Sequence, residues 1–328
     1  MTGVRVLFRY NLVNSERSIN LKSKVGYIYI LLTTFIFGIN PIIFKSLSGF
    51  TSSNIQNFFR TLVAGIVLWM YSKYLKKTDK TSTKIGLLSF IPPALIFYLF
   101  VQLYITGISL SKANLSSFIM SGLGPIITII VLGLFIAEER KQLKNTYVKA
   151  SIIIGLTGAV LVMLNLKQGL NFTLDFGLFL VFLGAVAWAL YAMLIRKYFS
   201  QVNPIIFCRN VIGLNAMFFF FTIIITKEIF LLNTLSVKLI LGLIAAGLIA
   251  DAISNITFFL GMTKVSAINA NIILLLAPVI SLIVSKITLN ESLAQQQLIG
   301  CLMTLLASFL LIFVEIKKNK QSNIEIKY

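Results

Sequence analysis

One carboxylate, that of Asp251, lies deep inside an apolar segment of this sequence. Ser254 and Asn255 follow it at positions i+3 and i+4, so that a helix would carry all three on one face. Because placing a carboxylate in hydrocarbon costs roughly 2.5–3.5 kcal/mol, such a residue needs a cavity or a polar partner. We expect Asp251 to face a water-accessible cavity and to bind a polar ligand or a proton. The alternative is a structural bond to a backbone or hydroxyl group.

A second polar stripe is formed by Tyr98, Gln102 and Thr106, at positions i, i+4 and i+8 of another apolar segment. Helical spacing again puts these side chains on one face. Two such stripes favour a shared cavity, although polar residues in helix bundles also bond simply to neighbouring helices.

Four further residues are candidates for the lining of this cavity. Trp188 and Tyr191 lie near the end of one apolar segment, where the plainer interpretation is an aromatic contact with lipid or with a neighbouring helix. Asn114 and Asn269 belong to polar clusters that open two other apolar segments. The sequence therefore predicts a ligand site built from amides, aromatic rings and one acid.

Hinges or gates are expected at seven positions: Pro41, Pro125, Pro278, Glu138, Glu291, Arg60 and Arg209. A proline removes a backbone donor and frees a carbonyl one turn earlier, which bends a helix or offers an oxygen to a ligand. The glutamates end helices beside loops, where they would pair with a cation such as Arg140 in one conformation. The plainer interpretations are packing kinks, interfacial carboxylates and snorkelling arginines.

Catalysis of the common kinds is excluded by the residue types. The sequence has no His, and its two cysteines, Cys208 and Cys301, lie far apart in apolar segments. A Ser-His-Asp triad, a Cys-His pair and a His-ligated metal site are therefore impossible. We expect no catalytic residue, no metal and no cofactor.

The composition indicates lipid as the solvent. Of the 328 residues, 58% are hydrophobic and 12% are charged, and the mean hydropathy is +0.92. A soluble domain could not hide so much apolar surface. The net charge of +19 would suggest a nucleic-acid partner in a soluble protein, but basic cytoplasmic loops explain it here, and no nucleic-acid partner is expected.

Ten membrane-spanning helices are predicted from the apolar segments, because a crossing takes about 20 residues and lipid offers no partner for a free backbone group. The predicted spans are 25–45, 54–73, 85–109, 113–136, 147–166, 175–195, 204–226, 237–261, 265–287 and 296–314. If both termini are cytoplasmic, about three quarters of the 29 Lys and Arg residues lie inside, which favours this orientation. Residues 1–24 and 315–328 are then basic cytoplasmic tails.

The chain repeats itself in two halves, residues 25–166 and 175–314, joined by a loop at 167–174. At one offset Pro125 corresponds to Pro278 and Glu138 to Glu291, and at a slightly smaller offset Arg60 in NFFRT corresponds to Arg209 in FCRN. Five spans in each half force the second half to enter the membrane upside down. Inverted repeats place a site at the midplane and supply two conformations of similar energy, as alternating access requires.

These motifs, with the Gly-rich fifth and tenth spans, resemble the EamA type of the drug/metabolite transporter superfamily over residues 25–314. The resemblance implies a ten-helix carrier with both termini cytoplasmic, which moves small metabolites, often outward.

The predicted function is that of a secondary active transporter in the cytoplasmic membrane. Its substrate would be an amino acid, an amine or a similar small metabolite, since one acid among amides and aromatic rings suits an ammonium group. Protons or another ion are candidate coupling partners, and a monomer suffices because the fused repeat supplies both halves of the pathway. The alternative is a non-transporting membrane scaffold or assembly protein.

Overall fold

The computed structural model of the protein describes residues 2–76, 86–136, 140, 143–165, 173–199, 201–262, 264–265, 270 and 273–325. Nearly all of these residues are helical, which confirms the predicted all-α class. One antiparallel pair of two-residue strands, β1 (Leu164–Asn165) and β2 (Thr173–Leu174), frames the loop between the two halves.

Twelve helices form the described part of the chain, numbered here in chain order. Those of the first half are α1 (Thr2–Ser48), α2 (Ser53–Lys76), α3 (Ile91–Leu110), α4 (Ala113–Phe118), α5 (Gly124–Phe135) and α6 (Thr146–Met163). Those of the second half are α7 (Phe176–Tyr198), α8 (Pro204–Ile225), α9 (Val237–Ala246), α10 (Ser254–Met262), α11 (Ala277–Leu289) and α12 (Gln295–Glu325). Short 3-10 turns, Leu87–Phe90 and Glu228–Thr234, precede α3 and follow α8.

Six helical stretches in the described part of the chain are long and apolar enough to cross a membrane. They are Lys24–Ser48, Leu87–Leu110, Ala113–Phe135, Phe176–Tyr198, Pro204–Ile225 and Val237–Met262, and they correspond to the first, third, fourth, sixth, seventh and eighth predicted spans. The fifth, ninth and tenth correspond to the shorter apolar stretches Thr146–Val162, Ala277–Leu289 and Gln295–Leu311. The second corresponds to α2, whose polar side chains, Arg60 among them, lower its hydropathy.

The two terminal tails do not form separate elements. Helix α1 begins at Thr2 and runs without interruption into the first predicted span, and α12 continues to Glu325 beyond the end of the tenth. The boundaries at residues 24 and 315 are thus changes of composition within continuous helices.

Prolines and wide turns divide several spans. Pro125 and Pro278 each lie in the first turn of a helix, α5 and α11 respectively, where the missing N–H group has no intrahelical partner to lose. A π-helical turn, Ile119–Leu123, joins α4 to α5, and another, Gly247–Ile253, joins α9 to α10. Pro41, in contrast, lies inside the continuous helix α1.

The helices pack in a pattern that is unchanged when the two halves are exchanged. The contact of α3 with α7 corresponds to the contact of α10 with α1. In the same way, the contact of α5 with α7 corresponds to that of α11 with α1. The pairs α2–α8 and α6–α12 join corresponding spans of the two halves. A two-fold relation between the halves accounts for all of these contacts.

Small residues let two of these helices approach closely. A Cβ atom added to Gly158 of α6 would lie 2.8 Å from the carbonyl oxygen of Gly300, and one added to Gly300 of α12 would lie 2.6 Å from that of Gly158. Facing glycines of this kind are typical of helix packing in membranes, where close backbone contact replaces the hydrophobic effect.

Candidate functional site

An ion pair between a buried arginine and a partly buried aspartate joins the two halves of the molecule. Arg60 of α2 donates from Nε to Oδ2 of Asp251 at 2.9 Å and from Nη2 to Oδ1 at 2.8 Å. The side chain of Arg60 is 5% exposed and that of Asp251 is 21% exposed. Such two-point contacts fix the geometry of both groups and are stronger than neutral hydrogen bonds. The deep acid therefore has a specific partner, one that lies on another helix.

Aromatic packing holds the guanidinium in place. The Cζ atom of Arg60 lies 3.6 Å from the centre of the Phe44 ring, a cation–π contact that covers one face of the planar group. A ligand would therefore reach Arg60 along the edge of its plane, where its N–H groups point.

A π-helical turn carries Asp251, and a glycine in that turn brings it close to α2. A Cβ atom added to Gly247 would lie 2.9 Å from the carbonyl oxygen of Arg60 and 3.0 Å from its Cα. π-helical turns are frequent at functional sites because they redirect the side chains of a helix. The ion pair thus depends on close backbone contact one turn away from the acid.

Replacing Gly247 by Ala is expected to separate the π-helical turn from α2 and to lower both transport and thermal stability. Two of the obstructing atoms belong to the backbone of Arg60 and the third is Cβ of Val63, so that the helices themselves must move; overpacking of this kind costs about 1–3 kcal/mol. Gly213→Ala in α8 is the matched control, because a Cβ atom there has no neighbour within 4 Å among the described residues. Thermal unfolding and proteoliposome flux of the two variants measure the difference. Equal behaviour of the two would contradict the role of this contact.

Several polar atoms around the ion pair are buried without a partner among the residues that the structure describes. They are Nη1 of Arg60, Oδ1 of Asn57, Oδ1 of Asn40, and both Nε2 and Oε1 of Gln56. Asn57 and Gln56 precede Arg60 by one helical turn. Asn40 donates from Nδ2 to the carbonyl of Ala250, which directly precedes Asp251, at 3.3 Å. Since each unsatisfied group costs about 1–3 kcal/mol, this cluster is suited to water or a polar ligand.

A chain of hydrogen bonds leads from this cluster to the loop between α8 and α9. Asn57 donates to Oε1 of Gln102 at 3.3 Å, and Gln102 donates to Oδ1 of Asn54 at 2.9 Å. Asn54 in turn donates to Oε1 of Glu228 at 2.7 Å, and Ser52 donates to the other carboxylate oxygen. This chain joins the predicted outer ends of α2, α3 and α8.

The predicted cavity residues on the helix of Asp251 bond to their own backbone. Ser254 donates to the carbonyl of Ala250, and Asn255 donates to that of Asp251 at 2.6 Å. Their side chains therefore support the turn that carries the acid and make no bond to its carboxylate.

Tyr98 and Gln102 share a helix face, but the structure does not bring either of them to Asp251. The hydroxyl of Tyr98 bonds with that of Thr222 on α8 at 2.8 Å, and its ring packs on Phe219 at 4.6 Å. Gln102 instead joins the hydrogen-bond chain described above.

Trp188 and Tyr191 form part of an aromatic cluster with residues of α3. The Phe97 ring centre lies 5.0 Å from that of Tyr191, and the Phe100 ring centre lies 5.1 Å from that of Trp188. Phe100 stacks on Tyr104 at 5.6 Å, and Tyr104 meets the edge of Phe44 at 6.5 Å. A continuous run of rings thus leads from Trp188 to the ring that covers Arg60.

Asn114 is fully buried, and neither polar atom of its side chain has a partner among the described residues. It lies on α4. Asn269, which belongs to the polar cluster at the start of the ninth predicted span, and Glu138 lie outside the residues that the structure describes.

Glu291 was predicted to be a gate that pairs with a cation. In this conformation it accepts instead from the backbone N–H groups of Ala113 and Asn114, at 2.8 and 3.1 Å, at the start of α4. The uncompensated N–H groups and the dipole of a helix favour a carboxylate at that end. Arg140, the cation expected to pair with Glu138, contacts the carbonyls of Gly133 and Leu134 near the end of α5.

Arg209 corresponds to Arg60 by sequence, but its surroundings are neutral. It donates to Oδ1 of Asn210 from two nitrogens, at 3.0 and 2.8 Å, and to the hydroxyl of Ser72 at 3.2 Å. The two arginines therefore occupy corresponding positions but bind different groups, a carboxylate at Arg60 and neutral oxygens at Arg209. Neither is explained as a snorkelling anchor alone.

Four acidic residues have side chains that the structure describes, and each of these belongs to the second half and accepts a hydrogen bond from the first half. Asp251 and Glu291 do so as described, Glu228 accepts from Ser52 and Asn54, and Asp175 accepts from Ser111 at 2.7 Å. No group of three His, Cys, Asp or Glu residues gathers as a metal site in the described part of the chain. The site is thus an ion pair with amides and rings around it.

The sequence indicates several residues of the site but not the residues with which they form hydrogen bonds. Asn57 stands beside Arg60 in the quoted NFFRT motif, and its i, i−3 spacing from Arg60 is the signal that could have found it. Glu228, Asn40 and Asp175 carry no comparable signal, because their partners lie far away in the chain.

Comparison with known proteins agrees with this architecture. The model of the EamA-like transporter family matches the chain twice, over residues 24–164 and 175–313. An uncharacterized transporter of Clostridium kluyveri is 23% identical over 314 residues, which cover 92% of this chain and 96% of that protein. One of Haemophilus influenzae is 24% identical over 234 residues, covering 65% and 77%.

Among solved structures, a crystal structure of a protein superposes with a TM-score of 0.58 over 89% of this chain and 96% of that one. The sequence identity is 17%, so that the likeness extends to the fold alone.

Proposed function

The chain belongs to the EamA-like transporter family, and from this premise we propose that it is a secondary active transporter of a small metabolite, an amino acid, an amine or a similar molecule. The observation that carries the proposal is the ion pair between the buried Arg60 and the partly buried Asp251, with buried polar atoms nearby that have no partner among the described residues. Buried charges at a contact between the two halves provide a binding site that both halves must form together.

Alternating access is supported by the arrangement of the carboxylates. Under the predicted orientation Asp175, Glu228 and Glu291 lie at the outer ends of their helices, and each bonds across the two halves. These bonds would hold the outer side closed in this conformation and would break when that side opens. Gating thus depends on Glu291 as the sequence predicts, with Glu228 and Asp175 as further members.

The remaining parts of the proposal follow from the sequence. We place ten spans in the cytoplasmic membrane with both termini cytoplasmic, in two inverted repeats that suffice as a monomer. Pro125 and Pro278, which begin corresponding helices, serve as hinges. Transport is directed outward, and protons that enter through Asp251 are the coupling ion.

Flux measurements with purified protein in liposomes test this function. A carrier is expected to show counterflow, in which a labelled amino acid or amine accumulates when the liposomes are preloaded with the same unlabelled compound. In inside-out vesicles, acidifying the external medium is expected to drive release of the compound from the vesicles more than its uptake. Absence of counterflow for amino acids, amines, sugars and nucleosides alike would favour the alternative of a non-transporting scaffold.

Labelling of single cysteines tests the topology. The buried Cys208 and Cys301 are first replaced by Ala, and one cysteine is then placed in the loop 77–85 or at Lys238. A membrane-impermeant maleimide added to intact cells is expected to label only the cysteine at position 238. Labelling within 77–85 would contradict the proposed orientation.

A further inference from the structure

We propose that Arg60 and Asp251 together form a receptor for a zwitterion, in which the ligand's ammonium group binds Asp251 and its carboxylate binds Arg60. This inference rests on the proposed transport function and deepens it, because it selects molecules that carry both charges over amines and over carboxylic acids. The ion pair seen here is the unliganded form of the receptor. In this form Arg60 takes the place of the ligand's ammonium group, and Asp251 takes the place of its carboxylate.

The balance of charge requires a ligand of this class. The guanidinium is almost fully buried, and the carboxylate is the only acid that contacts it among the described residues. An amine that displaced Arg60 from Asp251 would leave a buried guanidinium without an anion, and a carboxylic acid would leave a partly buried carboxylate without a cation. The first state carries a severe penalty in a low-dielectric interior, and the second carries a smaller one. A zwitterion inserted between the two groups leaves both of them paired.

The unpartnered atoms supply the remaining hydrogen bonds that such a ligand needs. A carboxylate has two oxygens, and Arg60 can offer Nη1, which is free here, together with a nitrogen released from Asp251. An ammonium group has three donors. One acceptor is the carboxylate of Asp251, and the Oδ1 atoms of Asn57 and Asn40, both buried and unpartnered, are the other two.

The positions of these atoms fit the same arrangement. Asn57 lies one helical turn before Arg60, and Asn40 is tied to the carbonyl of the residue that precedes Asp251. The ring of Phe44 covers one face of the guanidinium, so that its donors remain available along the edge that faces Asp251. Asn57, Asn40 and Phe44 are thus each linked, by helical spacing or by a contact, to Arg60 or to the residue beside Asp251.

Binding to purified protein in detergent tests the inference with matched sets of three molecules. Phenylalanine, phenethylamine and 3-phenylpropanoate form one set; leucine, isoamylamine and 4-methylpentanoate form the second; serine, ethanolamine and 3-hydroxypropanoate form the third. Apparent affinity is obtained from the dependence of the unfolding midpoint on ligand concentration. For at least one set we expect the amino acid to bind at least tenfold more tightly than its amine and its acid.

Two variants should change this selectivity in opposite directions. In Arg60→Gln the preference for the amino acid over the amine is expected to disappear, and in Asp251→Asn the preference over the carboxylic acid is expected to disappear. Substitution of a residue with a merely structural role would lower the affinity for all three ligands by the same factor. Because either variant leaves one buried charge unpaired, the double variant, which removes both charges, serves as the well-folded reference and should bind all three molecules equally weakly.

An amine or an acid that binds as tightly as its amino acid, or the absence of binding by every amino acid of the three sets, would overturn the inference. In that event counterflow of another class of metabolite would leave the transport function intact. Loss of counterflow for every compound would instead refute the transport function itself.

Discussion

Replacing Asp251 by Asn is expected to lower transport in proteoliposomes at least about 100-fold and to destabilise the protein. The change keeps the size of the side chain and leaves the guanidinium of Arg60 buried without its anion. Breaking a buried ion pair from one side costs about 3–5 kcal/mol, which corresponds to a fall in Tm on the order of 10 °C. Flux of a labelled substrate and thermal unfolding in detergent measure the two effects separately.

Arg209→Gln is the matched control for this experiment. Arg209 occupies the corresponding position in the second half and contacts neutral groups, so that its removal leaves no buried carboxylate behind. We expect the double variant Arg60→Gln with Asp251→Asn to recover most of the thermal stability but none of the transport. If Asp251→Asn changed neither substrate affinity nor the pH dependence of flux, Asp251 would be structural and the coupling through it would be wrong.

Replacing Glu228 and Glu291 together by Gln is expected to open the outer side of the molecule. Each carboxylate accepts two hydrogen bonds across the halves, and a bond to a charged group contributes about 1.5–3 kcal/mol. Weakening both should raise the outward-open population on the order of 10–100-fold. A cysteine at Asn255, four residues beyond Asp251 in the direction of the cytoplasm, reports this opening through the rate of labelling by an external maleimide.

Lys238→Gln is the control for the outer carboxylates, since it removes an exposed charge from the same predicted face. Its labelling rate should match that of the parent protein. Unchanged labelling in the Glu228→Gln, Glu291→Gln variant, with fold and expression retained, would show that these bonds do not hold the outer side closed.

The sequence was informative about single helices and less informative about their partners. Helical spacing and hydropathy led to the all-helical membrane class and to six spans that the structure confirms. The same reasoning singled out Asp251, because an acid in an apolar segment is costly wherever the helix is placed. These inferences need only the residues of one helix.

The pairing of Arg60 with Asp251 could not be derived in this way. The two residues are separated by 191 positions, and spacing within a helix gives no information about which helix packs against it. The sequence therefore predicts only an anchor or a gate at Arg60. Likewise, Ser254 and Asn255 share the face of Asp251 as expected, but short polar side chains can return their bonds to the preceding turn, and here they do.

The uneven division of charge between the halves has a consequence for how such a chain assembles. All four described carboxylates that join the halves come from the second one, and the first one provides the groups that donate to them. If the gene were cut within the loop 167–174, each fragment would therefore recognise the other in preference to a copy of itself, because a pair of first halves would lack Asp251, the carboxylate that Arg60 contacts. The two halves thus pack with the two-fold geometry of a homodimer. The groups that each half contributes to the contact differ, however, as they do in an obligate heterodimer.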